Sequence, residues 1–331
     1  MTDQKNNQYN SPLQATVKGI TDLFKKNPRI GKLSEADRLE GKKVLITGAS
    51  SGLGFATAGQ LAKLGATVIM ACRSGIPEKG SKIRKQSGNE KVFMHQVDLS
   101  EISSIRALVA EIKKSYGKID ILICNAAVVP KQSRKTKNGL EEMFMVNYLA
   151  KFILVNSLLE NACLSADNQM ISRIIFVASE SHRNPKEYNW EEFGVYKTYG
   201  MKKTVELYGY YKLLMVTFAN ELSRRLNPDG KTQYSIFALC PGPVNSNIAR
   251  EAPWIFQPLL KLTFSIFFRS PGKAAEPVVY LATSTDVEKK AIDYLFLMSR
   301  KTMDEKACDP LNGKKIWELS ETLLGDLDSR I

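Results

Sequence analysis

Short apolar segments rich in β-branched residues alternate with longer segments of helical periodicity from residue 42 to about residue 297. A helical segment between two strands provides the crossover that parallel strands need, and no linker interrupts the pattern. The sequence therefore predicts one α/β domain with a doubly wound parallel sheet of about seven strands, flanked by helices. The predicted strands cover residues 44–47, 68–72, 92–97, 119–124, 174–178 and 234–239, with a short last strand near Tyr294, and the predicted helices lie near residues 53–64, 102–116, 140–159 and 207–226.

The chain is predicted to have three parts. Residues 1–40 form an N-terminal arm, residues 41–300 form the α/β domain, and residues 301–331 form a helical tail in which we assign Trp317 to packing. A short amphipathic helix in the arm is predicted by apolar residues three or four apart, namely Leu13, Val17, Ile20 and Phe24. Packing on the domain and contact with a membrane are both open for this helix, and so short a helix usually needs tertiary support.

Basic residues outnumber acidic ones, 47 against 34, which gives a formal net charge of +13. Such a charge attracts phosphate-bearing cofactors, anionic lipids or nucleic acids, and it selects none of them. The sequence has no recognisable nucleic-acid-binding motif and no platform of aromatic and basic residues. We therefore predict no nucleic-acid partner.

The five cysteines are widely scattered and lack the spacing of a zinc site. They are predicted to be reduced thiols, mostly buried in strands, and no metal site is expected. The first ten residues are polar and lack the basic and apolar regions of a secretory signal. The sequence predicts a cytoplasmic protein, with peripheral membrane association left open.

A glycine-rich turn follows the first predicted strand and precedes a helix. In a parallel sheet this position places backbone N–H groups against a pyrophosphate. The turn lacks the Gly-Lys-Ser/Thr of a nucleotide-hydrolysing loop, so a dinucleotide is favoured over a transferred phosphate, and a purely structural turn is the alternative. The candidate cofactor-binding residues are Gly48, Ser50, Ser51, Gly52, Leu53 and Gly54.

Arg73 follows the second predicted strand, at the position where an NAD-selective enzyme usually has an acidic residue. A guanidinium at this position favours binding of a 2′-phosphate, so we predict NADP(H) as the cofactor, with NAD(H) as the alternative. If Arg73 has no role in binding, it is an ordinary exposed arginine. Further candidates follow the third and fourth strands, where Asp and Asn also serve simply as turn residues. These candidates are Asp98, Leu99, Asn125, Ala126 and Ala127.

Ser179 ends the fifth predicted strand, and Tyr208 and Lys212 lie four apart on the next helix, on one face. A nearby cation lowers the pKa of a tyrosine from about 10 by roughly 1 to 3, toward a value useful for proton transfer at neutral pH. Ser179 can then hydrogen-bond the substrate oxygen, and Asn147 can fix a water that relays protons to the lysine. Tyr199 and Lys203 have the same spacing, so Tyr199 remains the alternative to Tyr208.

With these features in this order, the chain resembles the short-chain dehydrogenases/reductases over residues 41–324. The motifs are TGASSGLG, NAA, Asn147, Ser179, YGYYK and PGPV; ACRS, VASESH and WELSETLL are most similar to retinol dehydrogenase and protochlorophyllide reductase-like members. The resemblance implies a Rossmann fold and a catalytic tetrad of Asn147, Ser179, Tyr208 and Lys212, with Lys212 also holding the nicotinamide ribose. It also implies cofactor contacts at Pro241, Gly242, Val244 and Ser246.

The chain departs from the family pattern at Ala127, Ala178, Tyr211 and Cys240, none of which is a tetrad member. The interval of 29 positions from Ser179 to Tyr208 predicts an enlarged loop over residues 182–206 that reshapes the pocket. His182 is predicted to serve loop packing or hydrogen bonding. The family places mobile segments over the substrate after Ser246, and here residues 253–268 are rich in apolar and aromatic side chains.

An apolar lid predicts a lipophilic substrate. Core packing, membrane contact and a homodimer interface are all open for the same segment, which is too short to span a membrane. The leading hypothesis is NADP(H)-dependent interconversion of a lipophilic aldehyde or ketone and its alcohol, with Tyr208 as general acid/base. CNAAV, which is closer to protochlorophyllide reductases, leaves C=C reduction open. Alternatives of other classes are a non-catalytic dinucleotide sensor or scaffold and a membrane or nucleic-acid adaptor.

Overall fold

The computed structural model describes residues 29–164, 171–244, 269–288 and 290–329. The predicted helix in the N-terminal arm, the apolar segment 253–268 and Ser246 lie outside the described residues.

The described strands form one eight-stranded sheet in the order β3-β2-β1-β4-β5-β6-β7-β8, and all neighbouring pairs are parallel except β7 and β8. The predicted doubly wound sheet is confirmed, and the two-residue β8 adds an antiparallel edge to it. The order reverses between β1 and β4, which is where such sheets bind ligands at the carboxyl ends of their strands. The strands are β1 Lys43–Thr47, β2 Thr67–Cys72, β3 Val92–Gln96, β4 Ile121–Cys124, β5 Ser172–Val177, β6 Tyr234–Cys240, β7 Ile292–Phe296 and β8 Ser299–Arg300.

The helices are α1 Gly52–Lys63, α2 Glu78–Ser87, α3 Ile102–Tyr116, α4 Glu142–Glu160, α5 Met201–Leu226, α6 Pro271–Thr283, α7 Glu305–Cys308 and α8 Pro310–Asp328. Inside α4 the residues Met145–Leu149 are π-helical. Helix α5 begins six residues before the predicted start, so the enlarged loop is shorter than predicted. Its first six residues, Met-Lys-Lys-Thr-Val-Glu, are mostly exposed and carry no continuous apolar stripe. Apolar periodicity in the sequence therefore does not mark this part of the helix.

The sheet is buried on both faces between two apolar cores. One core joins the sheet to α3, α4, α5 and α8, and the other joins it to α1, α2 and α6. Trp317 of α8 packs on the first core, with its ring 5.1 Å from that of Phe152 and 4.0 Å from the guanidinium of Arg225, so its assignment to packing is confirmed. The tail thereby packs against α4, which contains Asn147, and against α5, which contains Tyr208 and Lys212.

Helix α4 is, among the described residues, the one helix long and apolar enough to cross a membrane. Within its most apolar stretch 78% of the helix is buried inside the protein. This burial identifies α4 as the core helix of an α/β domain.

All five cysteines are free thiols, and four of them are buried. Cys72, Cys124 and Cys240 end strands β2, β4 and β6. The prediction of reduced thiols, mostly in strands, is confirmed.

Candidate active site

The glycine-rich turn connects β1 to α1 at the point where the sheet order reverses. Gly48 has φ +68°, and a Cβ there would lie 2.9 Å from the Cα of Ala126. A Cβ on Gly54 would lie 2.4 Å from the carbonyl oxygen of Gly48. Only glycine fits these two positions, because the backbone of the turn folds against itself and against the segment after β4.

Two polar side chains hold this turn in place. The amide nitrogen of Asn125 donates to the carbonyl oxygens of Thr47 (2.9 Å) and Gly48 (3.1 Å). In return the hydroxyl of Thr47 accepts from the backbone N–H groups of Asn125 and Ala126, both at 3.1 Å. Asn125, predicted as a cofactor residue, therefore uses its amide to fasten the turn to the end of β4.

The N-terminus of α1 offers its backbone donors to a ligand. Its N-cap, Ser51, is extended and makes no side-chain capping bond. The first N–H groups of a helix have no intrahelical acceptor, and an anion such as a pyrophosphate satisfies them and the helix dipole together. Ser50, Gly52 and Leu53 lie in the same turn, so the predicted phosphate-binding residues come together at one place and fit a dinucleotide.

Arg73 follows β2, next to the turn, and its side chain is half exposed. Its guanidinium lies 3.8 Å from the carboxylate of Glu142, which also contacts Arg134 at 3.4 Å. A long, half-exposed ion pair of this kind is weak, so Arg73 keeps its capacity to bind another anion. By contrast, the carboxylate of Asp98 accepts from the backbone N–H and hydroxyl of Ser100, which is the turn-forming role that remained open for it.

The residues Ser179, Tyr208 and Lys212 come together at the carboxyl ends of β5 and β6. Ser179 lies two residues after β5, and both other residues lie on α5. The ammonium of Lys212 donates to the carbonyl oxygen of Val177 at 2.7 Å and lies 5.6 Å from the ring centroid of Tyr208. Lys212 is buried and Tyr208 partly buried, so the phenol and the ammonium share one enclosed site.

The pKa of Tyr208 differs from the sequence prediction. Burial raises the pKa of this phenol above 10, and the nearby hydroxyl of Ser179 offsets only part of that effect. The pKa of the neighbouring Lys212 is itself lowered to about 7, because burial and the nearby charge of Lys151 both disfavour its ammonium form. At neutral pH the site therefore holds a protonated phenol beside a lysine that is close to its own titration point.

Asn147 lies in the π-helical turn of α4, and its side chain is fully buried. Its amide oxygen accepts from the backbone N–H of Val128 at 2.8 Å, and its amide nitrogen donates to the carbonyl of Val128 at 2.9 Å. The side chain thereby holds the segment after β4, including Ala127, against α4. The role of Asn147 in fixing a water stays a prediction.

Tyr199, the alternative to Tyr208, lies outside this cluster. Its hydroxyl donates to the carboxylate of Glu141 at 2.5 Å, and its backbone pairs with Ser133. Lys203 is exposed and paired with Glu206. Burial and Glu141 raise the pKa of Tyr199 far above its usual value, and the bond to Glu141 directs its hydroxyl to that carboxylate. Tyr199 fastens the residues before α5 to the loop before α4.

The segment after Ser179 is fixed by buried polar contacts. The ring nitrogen Nδ1 of His182 lies 2.7 Å from the carbonyl oxygen of Ser179, and burial lowers the pKa of this histidine to about 4. Its predicted hydrogen-bonding role is confirmed. Burial raises the pKa of the neighbouring Glu180, but its contacts with Arg183 and Lys301 prevail, and the pKa lies below its usual range.

The segment after β6 reaches the same edge of the sheet. Cys240 ends the strand, and burial raises the pKa of its thiol to about 11. Gly242 has φ +76°, and Val244 bridges to Arg269. Pro241, Gly242 and Val244 thus follow β6 at the edge of the sheet where the tetrad lies, and their contact with the cofactor stays a prediction.

Two residues of the site were missed from sequence. Thr47 ends β1 inside the glycine motif, and that motif predicts no role for its side chain. Lys151 interrupts the apolar run of α4 and is 3% exposed, with its ammonium bound to the carbonyl oxygens of Ala126 and Val146. The signal for Lys151 is a single lysine in the sequence Ala-Lys-Phe-Ile-Leu-Val, where a surface helix would continue its polar face.

Comparison with known proteins agrees with this geometry. The model of the short chain dehydrogenase family matches residues 42–198. Human retinol dehydrogenase 14 is 32% identical over 318 residues, covering 90% of this chain and 91% of that protein, and mouse retinol dehydrogenase 13 is 33% identical over 94% and 92%. A crystal structure of an uncharacterized protein from Mycobacterium paratuberculosis superposes with a TM-score of 0.65 at 27% identity, covering 88% of this chain and 97% of that one. The chain therefore belongs to the short-chain dehydrogenases, a family of nicotinamide-dinucleotide oxidoreductases, and is similar within it to the retinol dehydrogenases.

Proposed function

We propose that this protein interconverts a lipophilic aldehyde or ketone and its alcohol with NADP(H), and that Tyr208 is its general acid/base. The observation that carries the proposal is the convergence of Tyr208, Ser179 and Lys212 beside the uncapped N-terminus of α1. One end of this crevice fits a pyrophosphate and the other fits a reacting oxygen. The bound nicotinamide would supply or accept the hydride.

The protonation state of Tyr208 favours reduction. Because burial raises the pKa of its phenol above 10, Tyr208 is protonated throughout the neutral range and is ready to donate a proton to a forming alkoxide. Ser179 acts on the phenol of Tyr208 and would orient the carbonyl oxygen of the substrate. A cation beside the phenol stabilises the phenolate that donation leaves behind, which is the role we assign to Lys212.

The preference for NADP(H) is inferred from Arg73. This arginine follows β2, where the ribose of a bound dinucleotide lies, and its present partner Glu142 is 3.8 Å away. A guanidinium binds a phosphate group through charge-assisted, often bidentate hydrogen bonds. No acidic side chain stands at residues 73–75, where a carboxylate would select NAD(H).

The substrate class is inferred from two sources. The relatives named above are retinol dehydrogenases, and retinol is a lipophilic alcohol. The residues between 253 and 268 include Trp254, Phe256, Phe264, Phe267 and Phe268, which suit an apolar substrate.

The test follows the absorbance of NADPH and NADH at neutral pH with purified protein and a panel of retinoid, steroid, fatty and small aromatic carbonyls. We expect NADPH oxidation with at least one lipophilic carbonyl and formation of the corresponding alcohol. Product analysis separates this outcome from reduction of a C=C bond. Binding of NADPH without oxidation across the panel, or a C=C-reduced product, would contradict the proposal.

A further inference from the structure

A second buried lysine lies behind the tetrad. Lys151 belongs to the apolar helix α4 and is 3% exposed. Its ammonium donates to the carbonyl oxygen of Ala126 at 3.0 Å and to that of Val146, in the π-helical turn, at 2.9 Å. The two hydrogen-bond partners of this cation are neutral carbonyl groups, which stabilise it through their dipoles and not through a negative charge. Such an arrangement is costly for a buried charge.

The two buried ammonium groups are close neighbours. Lys151 binds the oxygen of Ala126, just after β4, and Lys212 binds that of Val177, at the end of β5. Strands β4 and β5 pair directly, and paired strands lie about 4.8 Å apart. The two ammonium groups therefore lie within roughly 10 Å of each other, inside the protein where solvent screening is weak.

No carboxylate compensates this pair among the described residues, since neither lysine forms an ion pair within them. The titratable groups that face Lys212 are Lys151 from α4, Cys124 from β4, Cys240 from β6 and Tyr208 on its own helix. Lys151 faces Cys124 and Lys212. Both thiols have a raised pKa, about 12 for Cys124 and about 11 for Cys240, so at neutral pH they bring no negative charge to the site.

We propose that Lys151 is a positioning residue whose charge sets the proton affinity of Lys212, and that it thereby fixes the pH range in which Tyr208 has a cation beside it. The part that concerns Tyr208 rests on the proposed function, and the part that concerns the two lysines does not. Like charges at this separation disfavour each other's protonated form, and burial acts in the same direction. The directions agree with this: burial lowers the pKa of Lys212 to about 7, with Lys151 as the second cause, and burial lowers that of Lys151 to about 8.

The proposal predicts what happens when the charge of Lys151 is removed. Lys212 should then hold its proton more tightly, by about one pKa unit, as expected for the loss of a nearby like charge. The cation beside Tyr208 should persist to higher pH. A purely structural Lys151, acting only by fastening Ala126 to α4, would leave the proton affinity of Lys212 unchanged.

The experiment measures Lys212 directly in the cofactor-free protein, by NMR titration of selectively labelled lysine side chains. The resonance is assigned by its absence in Lys212→Met. Lys151→Gln removes the charge and keeps an amide donor for the two carbonyls, Lys151→Met removes both, and Lys151→Arg keeps the charge. We expect the midpoint of Lys212 to rise by about one pH unit in Lys151→Gln and Lys151→Met and to stay in place in Lys151→Arg.

A second readout uses turnover, if the substrate panel yields a substrate. The pH profile of NADPH oxidation should move to higher pH in Lys151→Gln by the same amount as the midpoint of Lys212. An unchanged midpoint in a folded Lys151→Gln protein would overturn the inference even if the enzyme is active. A shifted midpoint in a protein that oxidises no NADPH would keep the inference about the lysines and reject only the proposed function. Circular dichroism establishes which variants are folded, and Lys151→Gln serves if Lys151→Met is not.

Discussion

The ammonium of Lys212 is bound, at 2.7 Å, to the carbonyl oxygen of Val177, the last residue of β5. This contact joins the middle of α5 to the strand end that precedes Ser179 by two residues. Tyr208 lies one helical turn before Lys212, so its distance from Ser179 is set by the same contact. Tyr208, the proposed acid, and Ser179 are thus positioned by a helix and a sheet of the fold.

Replacing Tyr208 by phenylalanine should abolish most of the turnover. The change removes the proton donor and leaves the ring, so we expect kcat with an accepted carbonyl to fall by about 10² to 10⁴-fold with little change in NADPH affinity. Tyr210→Phe is the matched control on the same helix, because its hydroxyl only exchanges hydrogen bonds with Asn189 at the surface. Full activity in Tyr208→Phe, or equal losses in the two variants, would contradict the assignment.

The same assay decides between Tyr208 and Tyr199. In Tyr199→Phe the hydrogen bond to Glu141 is lost, which should lower the stability of the loop before α4 by about 1 to 3 kcal/mol, because a buried carboxylate loses its partner. We expect kcat near that of the wild type, measured below the unfolding transition. A loss as large as that of Tyr208→Phe would favour Tyr199 as the acid.

Adding one methyl group to Gly54 should disrupt the dinucleotide site. A Cβ there would lie 2.4 Å from the oxygen of Gly48 and 2.5 Å from the amide of Asn125, so the turn must open. We expect Gly54→Ala to weaken NADPH binding at least tenfold, as measured by fluorescence titration. Gly59→Ala is the control, since it lies on the same helix with nothing within 4 Å. It should bind NADPH normally and gain up to about 1 kcal/mol of stability.

Arg73→Gln should change the choice of cofactor. A charge-assisted contact to the 2′-phosphate is worth about 1.5 to 3 kcal/mol, so KM for NADPH should rise by roughly 10 to 100-fold. KM for NADH, which lacks that phosphate, should change little. An equal effect on both cofactors would show that Arg73 does not distinguish them, and an absence of effect on either would assign it to the protein surface.

The sequence predicted the sheet and the positions of the site residues because both follow from local patterns. Strands buried on two faces appear as continuous apolar segments, and the glycine turn, Ser179 and the Tyr208–Lys212 spacing each mark the end of a strand or one helix face. Helices α2 and α6 were missed. Only Gly80 and Ile83 of α2 are buried, so its sequence carries little apolar periodicity.

The electrostatics of the site could not be predicted from the sequence. The expected lowering of the pKa of Tyr208 by Lys212 assumed a charged lysine in an ordinary environment. In the structure both side chains are desolvated, and Lys151, 61 residues away along the chain, adds a second positive charge. The pKa of a side chain depends on its burial and on charged groups that are distant in sequence. The spacing of four residues between Tyr208 and Lys212 contains no information on either.

The buried charge of Lys151 should also appear in the pH dependence of stability. Its pKa is lowered from 10.5 in the unfolded chain to about 8 in the folded protein. Between these two pKa values the unfolded state binds more protons than the folded state, so the free energy of unfolding of the wild type should rise with pH. Below pH 8 the folded protein carries the full cost of burying the charged ammonium of Lys151. At about 1.4 kcal/mol per pKa unit, the penalty is about 3 kcal/mol. Lys151→Gln lacks this penalty, so its free energy of unfolding relative to that of the wild type should fall by about 3 kcal/mol between pH 7 and pH 10.5. Urea unfolding at several pH values measures this difference. A difference that does not change with pH would show that Lys151 is not desolvated as described.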